Sequence, residues 1–197
     1  MEQAMINSAE PQVCEETLLS ATAAGDRRSF EQLFRIYYQR LGGFIRRLLA
    51  QPQAIEEVIN DTMLAIWTSA SRFQSKSKVD TWVFGIAYNK AMEHIRRQQR
   101  YSRHEVALED NEIPEPTTGH HRDAREWVAL ALAKLSPEHR AVVDLTYTYG
   151  YSYTEIAQIV DSPAGTVKTR MFHARKLLKP VLERLADPKT MEKTHDL

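Results

Sequence analysis

Apolar residues recur at three- and four-residue spacing along most of this chain, which is the spacing that places side chains on one face of an α-helix. One such run covers residues 30–48 and breaks at Pro52, a second covers 55–67, and a third covers 80–95. No segment alternates apolar and polar residues in the way that a half-buried strand does. The sequence therefore predicts an all-α fold.

The segment 151–178 has the pattern of two short helices joined by a tight turn. Its apolar positions fall into two helical sets, Ile156, Ala157 and Val160, then Val167, Met171 and Ala174. Between them, Asp161 stands at a turn position and is among the residues that tolerate a left-handed backbone. Ser162 and Pro163 suit an N-cap and a first helical position. This pattern predicts a helix-turn-helix, although an ordinary amphipathic helix with a solvated basic face would look similar.

Charge is segregated along the chain, although the formal net charge is +0. Residues 88–104 hold five basic side chains against one acidic, and residues 161–184 hold six against two. Between these blocks, residues 105–119 carry five acidic side chains and neither Lys nor Arg. Two basic blocks of this kind are typical of nucleic-acid binding, and the acidic stretch between them, which also holds two prolines, predicts a linker.

Several function classes are disfavoured by composition. The single cysteine, Cys14, leaves no internal disulfide and no Cys-based zinc site, and the adjacent His120 and His121 make a poor metal site by themselves. We find no nucleophile–base pair, carboxylate dyad or phosphate-binding glycine loop, so we expect neither catalysis nor a cofactor. No apolar run is long enough to cross a membrane and no secretory signal is recognisable, so we expect a cytoplasmic protein.

The pattern predicts two helical domains joined by a flexible acidic linker, with the helix-turn-helix in the second domain. The predicted boundaries are a flexible tail at 1–16, a first domain at 17–104, the linker at 105–122, a second domain at 123–186 and a second tail at 187–197.

Three stretches in this order resemble the small, two-domain extracytoplasmic-function (ECF) sigma factors of bacteria. They are AIEEVINDTMLAIW, then SRFQSKSKVDTWVFGIAYNKAMEHIRRQQR, and after the linker ALAKLSPEHRAVVDLTYTYGYSYTEIAQIVDSPAGTVKTRMFHARKLL. The resemblance covers residues 26–178 with matching order and spacing. It implies a transcription initiation factor that binds core RNA polymerase, recognises the minus-35 and minus-10 promoter elements and promotes promoter melting.

The resemblance also implies roles for particular residues. In the family, the helix that matches 54–67 docks on the clamp helices of the largest polymerase subunit, which assigns core binding to Glu57, Asn60 and Asp61. The loop 72–80 would hold a base flipped out of the minus-10 element, with Phe73 as the stacking ring and Asn89 reading the base edge. Trp82 is expected in the core. Backbone or nearby contacts to the same element are implied for Lys76, Lys78, Lys90, Arg96 and Arg97.

In the second domain, the resemblance implies contacts to the minus-35 element by Lys168, Thr169, Phe172 and His173, and phosphate contacts by Arg170 and Arg175. Many relatives carry Arg at the position of His173. Because His makes a shorter, pH-sensitive contact, the resemblance places the helix without revealing which bases it prefers.

The implied partners are promoter DNA, core polymerase through its clamp helices and flap region, and a cognate anti-sigma factor. The linker is either an RNA mimic in the polymerase channels or an inert tether. Two other functions stay open: a helix-turn-helix regulator that binds duplex DNA alone, and a sigma-like interaction protein that binds polymerase or an anti-sigma partner without opening DNA.

Overall fold

The computed structural model describes residues 14–49, 51–105 and 124–186. Within these residues every secondary-structure element is a helix, as predicted. The helices are α1 (Glu15–Ala23), α2 (Arg27–Leu48), α3 (Gln53–Ser69), α4 (Val79–Glu105), α5 (Ala124–Ala133), α6 (Pro137–Tyr147), α7 (Tyr153–Ile159) and α8 (Ala164–Ala186), with a short 3₁₀ turn at Ala70–Arg72. The predicted linker, apart from Glu105, and the two terminal tails beyond 14 and 186 lie outside the described residues.

Helices α1 to α4 form what we call the N-terminal unit. The Asp26 side chain accepts hydrogen bonds from the backbone N–H groups of Arg28 and Ser29 and so fixes the start of α2. The apolar stripe of α2 then forms the centre of the core, where Tyr37, Leu41, Phe44 and Ile45 are all 0% exposed. Helices α3 and α4 pack against this stripe.

Helix α1 was not predicted, and its first residues fall inside the segment expected to be a loose tail. It begins at Glu15 and buries Leu18 and Leu19 against the N-terminal core. The Glu15 carboxylate accepts a hydrogen bond of 2.6 Å from the Tyr37 hydroxyl of α2. This helix has only nine residues, too few to be stable alone, so its existence depends on packing against α2.

Helices α5 to α8 form the C-terminal unit, and local sequence signals define its helix ends. Ser136 caps α6 by accepting a hydrogen bond from the His139 N–H, and Pro137 stands at the first helical position. Ser152 and Glu155 form a reciprocal capping box at the start of α7. Between these helices Gly150 has a φ of +71°, a left-handed conformation that glycine adopts without strain.

Helices α7 and α8 confirm the predicted helix-turn-helix. Asp161 has a φ of +45°, the left-handed turn conformation that the sequence suggested. Helix α8 begins at Ala164, one residue later than predicted, and the Pro163 carbonyl accepts its first hydrogen bonds. The Ser162 hydroxyl, predicted to cap the helix, donates to the Val160 carbonyl instead. Val167, Met171 and Ala174 bury one side of α8 in the core of the unit.

The two units pack directly against each other, which the sequence did not predict. Helix α4 lies against α7, and α2 lies against α6. The centre of this interface is aromatic: the Phe84 ring lies 4.8 Å from the Tyr149 ring and 5.5 Å from the Tyr151 ring, centroid to centroid. Such pairs contribute about 0.5–1.5 kcal/mol each beyond simple burial. The core is therefore continuous from one unit to the other.

Candidate functional site

The outer face of α3 presents the three predicted polymerase-binding residues to solvent. Glu57, Asn60 and Asp61 are exposed and lie three and four residues apart, on one side of the helix. Leu64 continues this side one turn further and is 61% exposed. We call these four residues the α3 surface.

An apolar groove of about 540 Å³ adjoins the α3 surface. Asn60 and Leu64 form one wall, and Phe30, Phe34 and Trp67 provide aromatic surface, with the Phe30 and Trp67 rings 5.0 Å apart. The sequence analysis did not name Leu64 or this groove. The sequence did contain a signal for Leu64: it does not share the helical spacing of the buried residues of α3, so its apolar side chain must face either water or a partner.

Glu57 is tied to a residue predicted to bind DNA. The Arg97 guanidinium of α4 donates to the Glu57 carboxylate and holds the pKa of that carboxyl below its usual value. The same Arg97 nitrogen lies 3.2 Å from Nδ1 of the buried His94. This contact links the α3 surface to α4, and it occupies part of a side chain that was predicted to contact DNA backbone.

The loop before α4 carries the predicted base-stacking residue. Phe73 is half-buried, with its ring 5.4 Å from the Trp82 ring, and both rings pack against the core of the N-terminal unit. Trp82 is therefore part of the packing, as expected, but it is not fully enclosed. Ser75 has a φ of +53°, and the loop residue Lys76 points to solvent.

Lys78, at the end of this loop, bonds to the other unit. Its ammonium lies 2.8 Å from the Glu155 carboxylate at the start of α7. Hydrogen bonding to Lys78, with help from Ser152, lowers the pKa of Glu155 to about 2, and the Lys78 pKa is raised in turn. In this structure Lys78 therefore pairs with Glu155, while its side chain stays 75% exposed to solvent.

Helix α4 displays the remaining residues predicted for the minus-10 element. Asn89, Arg96 and Arg97 are exposed, whereas Lys90 is partly covered and lies 3.5 Å from Glu93. Arg96 and Arg100 border a shallow polar groove with Glu93 and Gln99. Asn89 and Arg96 are seven residues apart and so lie on the same side of α4. The helix thus carries a basic, solvent-facing stripe.

Helix α8 separates the six predicted minus-35 residues into two groups. Lys168, Thr169, Phe172 and His173 are exposed, and we call them the recognition face. Phe172 is 65% exposed. His173 packs edge-on against Phe172 and against His139 of α6, with ring centroids 5.6 and 6.3 Å apart.

Arg170 and Arg175, the two predicted phosphate contacts, each lie beside a tyrosine; Arg175 is exposed. Arg170 is half-buried, and its Nη1 atom has no hydrogen-bond partner within the described residues. It lies near the Tyr88 hydroxyl of α4, whose pKa is raised by burial and partly lowered again by this guanidinium. Arg175 donates from Nε to the Tyr147 hydroxyl over 3.0 Å.

A larger groove of about 900 Å³ lies where α5, α6 and α8 meet the end of α2. Its lining combines apolar side chains with four arginines and includes Leu132, Val143, Leu178, Leu182, Arg46, Arg47, Arg140 and Arg175. We call it the C-terminal groove. In the parts of the chain that the structure describes, no helix is long and apolar enough to span a membrane, and no group of three metal-ligating side chains occurs.

Two family profiles match the sequence. The profile described as Sigma-70 region 2 matches residues 33–101, and the one described as Sigma-70, region 4 matches residues 125–178. The first lies within the N-terminal unit and the second within the C-terminal unit. Together they take in the α3 surface, α4 and the recognition face.

Whole proteins align over most of the chain. The ECF RNA polymerase sigma factor SigM of Mycobacterium tuberculosis is 30% identical over 165 residues, which span 84% of this chain and 83% of SigM. The RNA polymerase sigma-H factor of Pseudomonas aeruginosa is 28% identical over 183 residues, spanning 87% of this chain and 95% of that protein.

Two solved structures share the fold. CnrH, in complex with the cytosolic domain of CnrY, aligns with a TM-score of 0.63 and 26% identity, covering 86% of this chain and 97% of CnrH. The sigma factor RpoE of Bartonella quintana, in complex with the anti-sigma factor NepR, has a TM-score of 0.65 and 24% identity, covering 79% and 98% of the two chains.

Proposed function

Because the chain belongs to the extracytoplasmic-function family of bacterial RNA polymerase sigma factors, we propose that the α3 surface binds core polymerase and that α4 and α8 direct it to promoter DNA. The protein acts in transcription initiation. The residue assignments within that function come from the resemblance in sequence, and the exposure and charge of these residues support them.

The observation that carries the proposal is that the two units expose surfaces of different chemical composition. The α3 surface is acidic, includes the exposed Leu64 and is bordered by partly exposed aromatic side chains, a composition suited to a protein partner and not to a phosphate backbone. The recognition face is basic and aromatic and lies on the second helix of a helix-turn-helix, which suits a DNA groove. A regulator that binds duplex DNA alone has no use for the first surface.

For the minus-10 element we propose the Phe73 loop together with the basic stripe of α4. Phe73 already lies against Trp82, so its ring is held in one orientation, and a half-buried ring can still offer an edge or face to an unpaired base. Asn89 is solvent-facing on α4 and can donate to and accept from a base edge. Arg96, seven residues further along the same side of α4, provides positive charge for the DNA backbone.

Two protein partners follow from the same surfaces. We propose that the α3 surface docks on the clamp helices of the largest polymerase subunit, and that the C-terminal groove accepts an apolar helix, with the flap region of the polymerase as its occupant. CnrH is seen in complex with the cytosolic domain of CnrY, and the sigma factor RpoE is seen in complex with the anti-sigma factor NepR. We propose that an anti-sigma factor likewise controls this chain.

We further propose that the protein has no catalytic activity of its own and works in the cytoplasm, where core polymerase meets the chromosome. The acidic linker, which lies outside the described residues, stays a candidate for the polymerase channels or for a simple tether.

The experiment that tests the proposal is run-off transcription with purified bacterial core polymerase and genomic fragments from the source bacterium. We expect discrete transcripts only when core and protein are both present. Asp61→Arg should abolish them, while Glu56→Arg, the same charge change on a neighbouring side of α3, should not. If folded wild-type protein and core polymerase together gave no discrete transcripts, the proposal would be contradicted.

A further inference from the structure

The His173 ring on the recognition face lies between two other aromatic rings. The Phe172 ring is 5.6 Å away at an interplanar angle of 74°, and the His139 ring of α6 is 6.3 Å away at 79°, measured between ring centroids. Edge-to-face packing at such distances is an arrangement that aromatic rings prefer. Phe172 is exposed whereas His139 is half-buried, so His139 provides the better-fixed of the two surfaces.

His139 is itself held at the start of α6. Its backbone N–H donates to the Ser136 hydroxyl oxygen over 3.4 Å, and its Nδ1 atom lies 2.7 Å from the same oxygen. Ser136 is the N-cap of α6, with Pro137 directly after it, so the hydroxyl is anchored to a well-defined helix end. Ser136 therefore holds both the backbone and the ring of His139, and this restricts rotation of the ring.

The surroundings of His139 favour its neutral form. Burial, reinforced by the Arg170 guanidinium of α8, lowers the pKa of His139; His173 adds to this shift and Glu138 opposes it. A histidine whose pKa lies below the usual value of about 6.5 is mostly neutral at pH 7 and above. A neutral His139 does not repel the His173 ring when that ring donates hydrogen bonds to DNA.

We propose that His139 is a positioning residue for His173, and that it thereby helps to determine which base pair the recognition face prefers at one position of the minus-35 element. This inference rests on the proposed function, which assigns α8 to that element. His139 acts through the His173 ring and does not contact the base. Both residues belong to the C-terminal unit, where α6 packs against α8, so their contact does not require the N-terminal unit.

A histidine needs such support more than an arginine at the same position would. Arginine presents a fork of several donors to a base, whereas one imidazole nitrogen makes a single hydrogen bond. A single hydrogen bond weakens steeply when its angle departs from linearity, so a tilt of the His173 ring costs discrimination. A ring that is immobilised before binding also loses less entropy when the contact forms.

The test compares base preferences of holoenzymes that contain wild type or His139→Ala. Each holoenzyme is titrated with promoter fragments that carry all four base pairs at each minus-35 position, and the ratio of affinities for the preferred and the other base pairs is determined. We expect His139→Ala to lower this ratio about two- to tenfold at one position, the position at which His173→Ala also acts. Equal losses on all fragments would overturn the proposal, because His139 would then serve the fold alone.

Two further variants separate positioning from other roles. His139→Phe keeps a ring beside His173 but loses the contact with Ser136, so it should retain most of the discrimination; a defect equal to that of His139→Ala would contradict a role for the ring. In the double variant His139→Ala/His173→Ala, the base preference should equal that of His173→Ala. Additive effects would mean that His139 reads DNA independently, which overturns positioning.

A variant without the ring that keeps the helix cap covers the case in which His139→Ala does not fold. Gln at this position can complete a capping box with Ser136, so His139→Gln should fold. Because Gln has no ring, it should lower the same ratio at the same position. Wild-type discrimination by folded His139→Gln would overturn the proposal.

The last measurement requires neither polymerase nor DNA. In the free, full-length protein, the nuclear magnetic resonance signals of the His173 ring C–H groups respond to neighbouring aromatic rings, and His173→Ala identifies them by their loss. We expect His139→Ala to shift these signals and His139→Phe to shift them less. An unchanged signal in His139→Ala contradicts this proposal alone, whereas a wild-type holoenzyme without base preference at any minus-35 position contradicts the proposed function.

Discussion

Arg47 and Asp144 lie 2.6 Å apart across the contact between the two units, one on α2 and the other on α6. Asp144 is buried, and its desolvation raises the pKa of the carboxyl although Arg47 and Thr148 partly counteract it. A buried carboxylate that loses its partner is strongly destabilising, whereas the partly exposed Arg47 would lose less. The pair therefore couples the stability of the two units.

The first prediction follows from this asymmetry. Arg47→Ala should lower the free energy of unfolding by about 1–3 kcal/mol at neutral pH, because Asp144 is left buried without a counter-charge. Arg46→Ala is the matched control, since Arg46 is exposed and has no ion pair within the described residues; it should change stability by less than about 0.5 kcal/mol. Urea unfolding followed by circular dichroism measures both. Equal effects would mean that the pair does not contribute.

The second prediction concerns the α3 surface. Asp61→Arg replaces an exposed acidic group with a basic one, and like charges at an interface cost several kcal/mol. We expect binding to core polymerase to weaken by at least about a hundredfold, with helical content unchanged. Leu64→Ser should also weaken it, because Leu64 presents apolar surface beside Asn60. Full core binding by both variants, in a fluorescence anisotropy titration, would remove the docking assignment.

The third prediction separates base reading from backbone binding on α8. Substituting Lys168 or His173 with Ala should cost about 1–3 kcal/mol and relax the preference at one base position. Arg175→Ala should weaken all promoter sequences alike. Because Arg175 is held by Tyr147, Tyr147→Phe should free it and alter affinity without changing preference. Holoenzyme binding to a set of minus-35 variants distinguishes these effects, and uniform losses at all positions would place the reading face elsewhere.

The fourth prediction is a pH dependence. Burial, reinforced by the charge of Arg170, lowers the pKa of His139. In the unfolded chain His titrates near 6.5, so the unfolded chain binds this proton more readily than the folded chain does. The stability that the neutral His139 allows is therefore fully present above about pH 6.5, and the free energy of unfolding decreases as the pH falls below it. His139→Gln should show a smaller loss of unfolding free energy between about pH 7.5 and 5.5. Gln at this position can complete a capping box with Ser136, so the variant should fold. Identical pH profiles would contradict the prediction.

Sequence periodicity predicted α2, α3, α4 and the helix-turn-helix because each carries a long apolar stripe. It missed α1, whose nine residues are ordered by packing of Leu18 and Leu19 against α2. It placed the left-handed turn at Asp161 correctly, since turn chemistry is local.

The contact between the units could not be predicted in this way. Arg47 and Asp144 are far apart in the chain and each is typical of an exposed helix face, so only the folded structure shows that they meet. The same holds for Arg170 and Arg175. Their charge suggested DNA, but charge does not reveal what a side chain faces, and both are engaged with tyrosines. The roles of the other site residues stay predictions.

The fifth prediction concerns promoter melting by the Phe73 loop. Stacking of one base is worth about 1–3 kcal/mol, so Phe73→Ala should reduce the open-complex population about ten- to a hundredfold on linear duplex. Phe73→Leu keeps apolar packing against Trp82 but loses the flat ring, so it should share the defect while keeping wild-type stability. Gln74→Ala, an exposed neighbour in the loop, is the control. A template already melted at the minus-10 element should restore part of the loss.

The most direct test of initiation-factor activity is permanganate footprinting of unpaired thymines on a promoter fragment, with purified core polymerase and wild-type protein. We predict reactive thymines across the minus-10 element only when core and protein are both present, and their loss with Phe73→Ala while core binding is retained. A fragment that the protein binds tightly by itself, and that shows no reactive thymine after core is added, would contradict the account and identify a duplex-binding regulator.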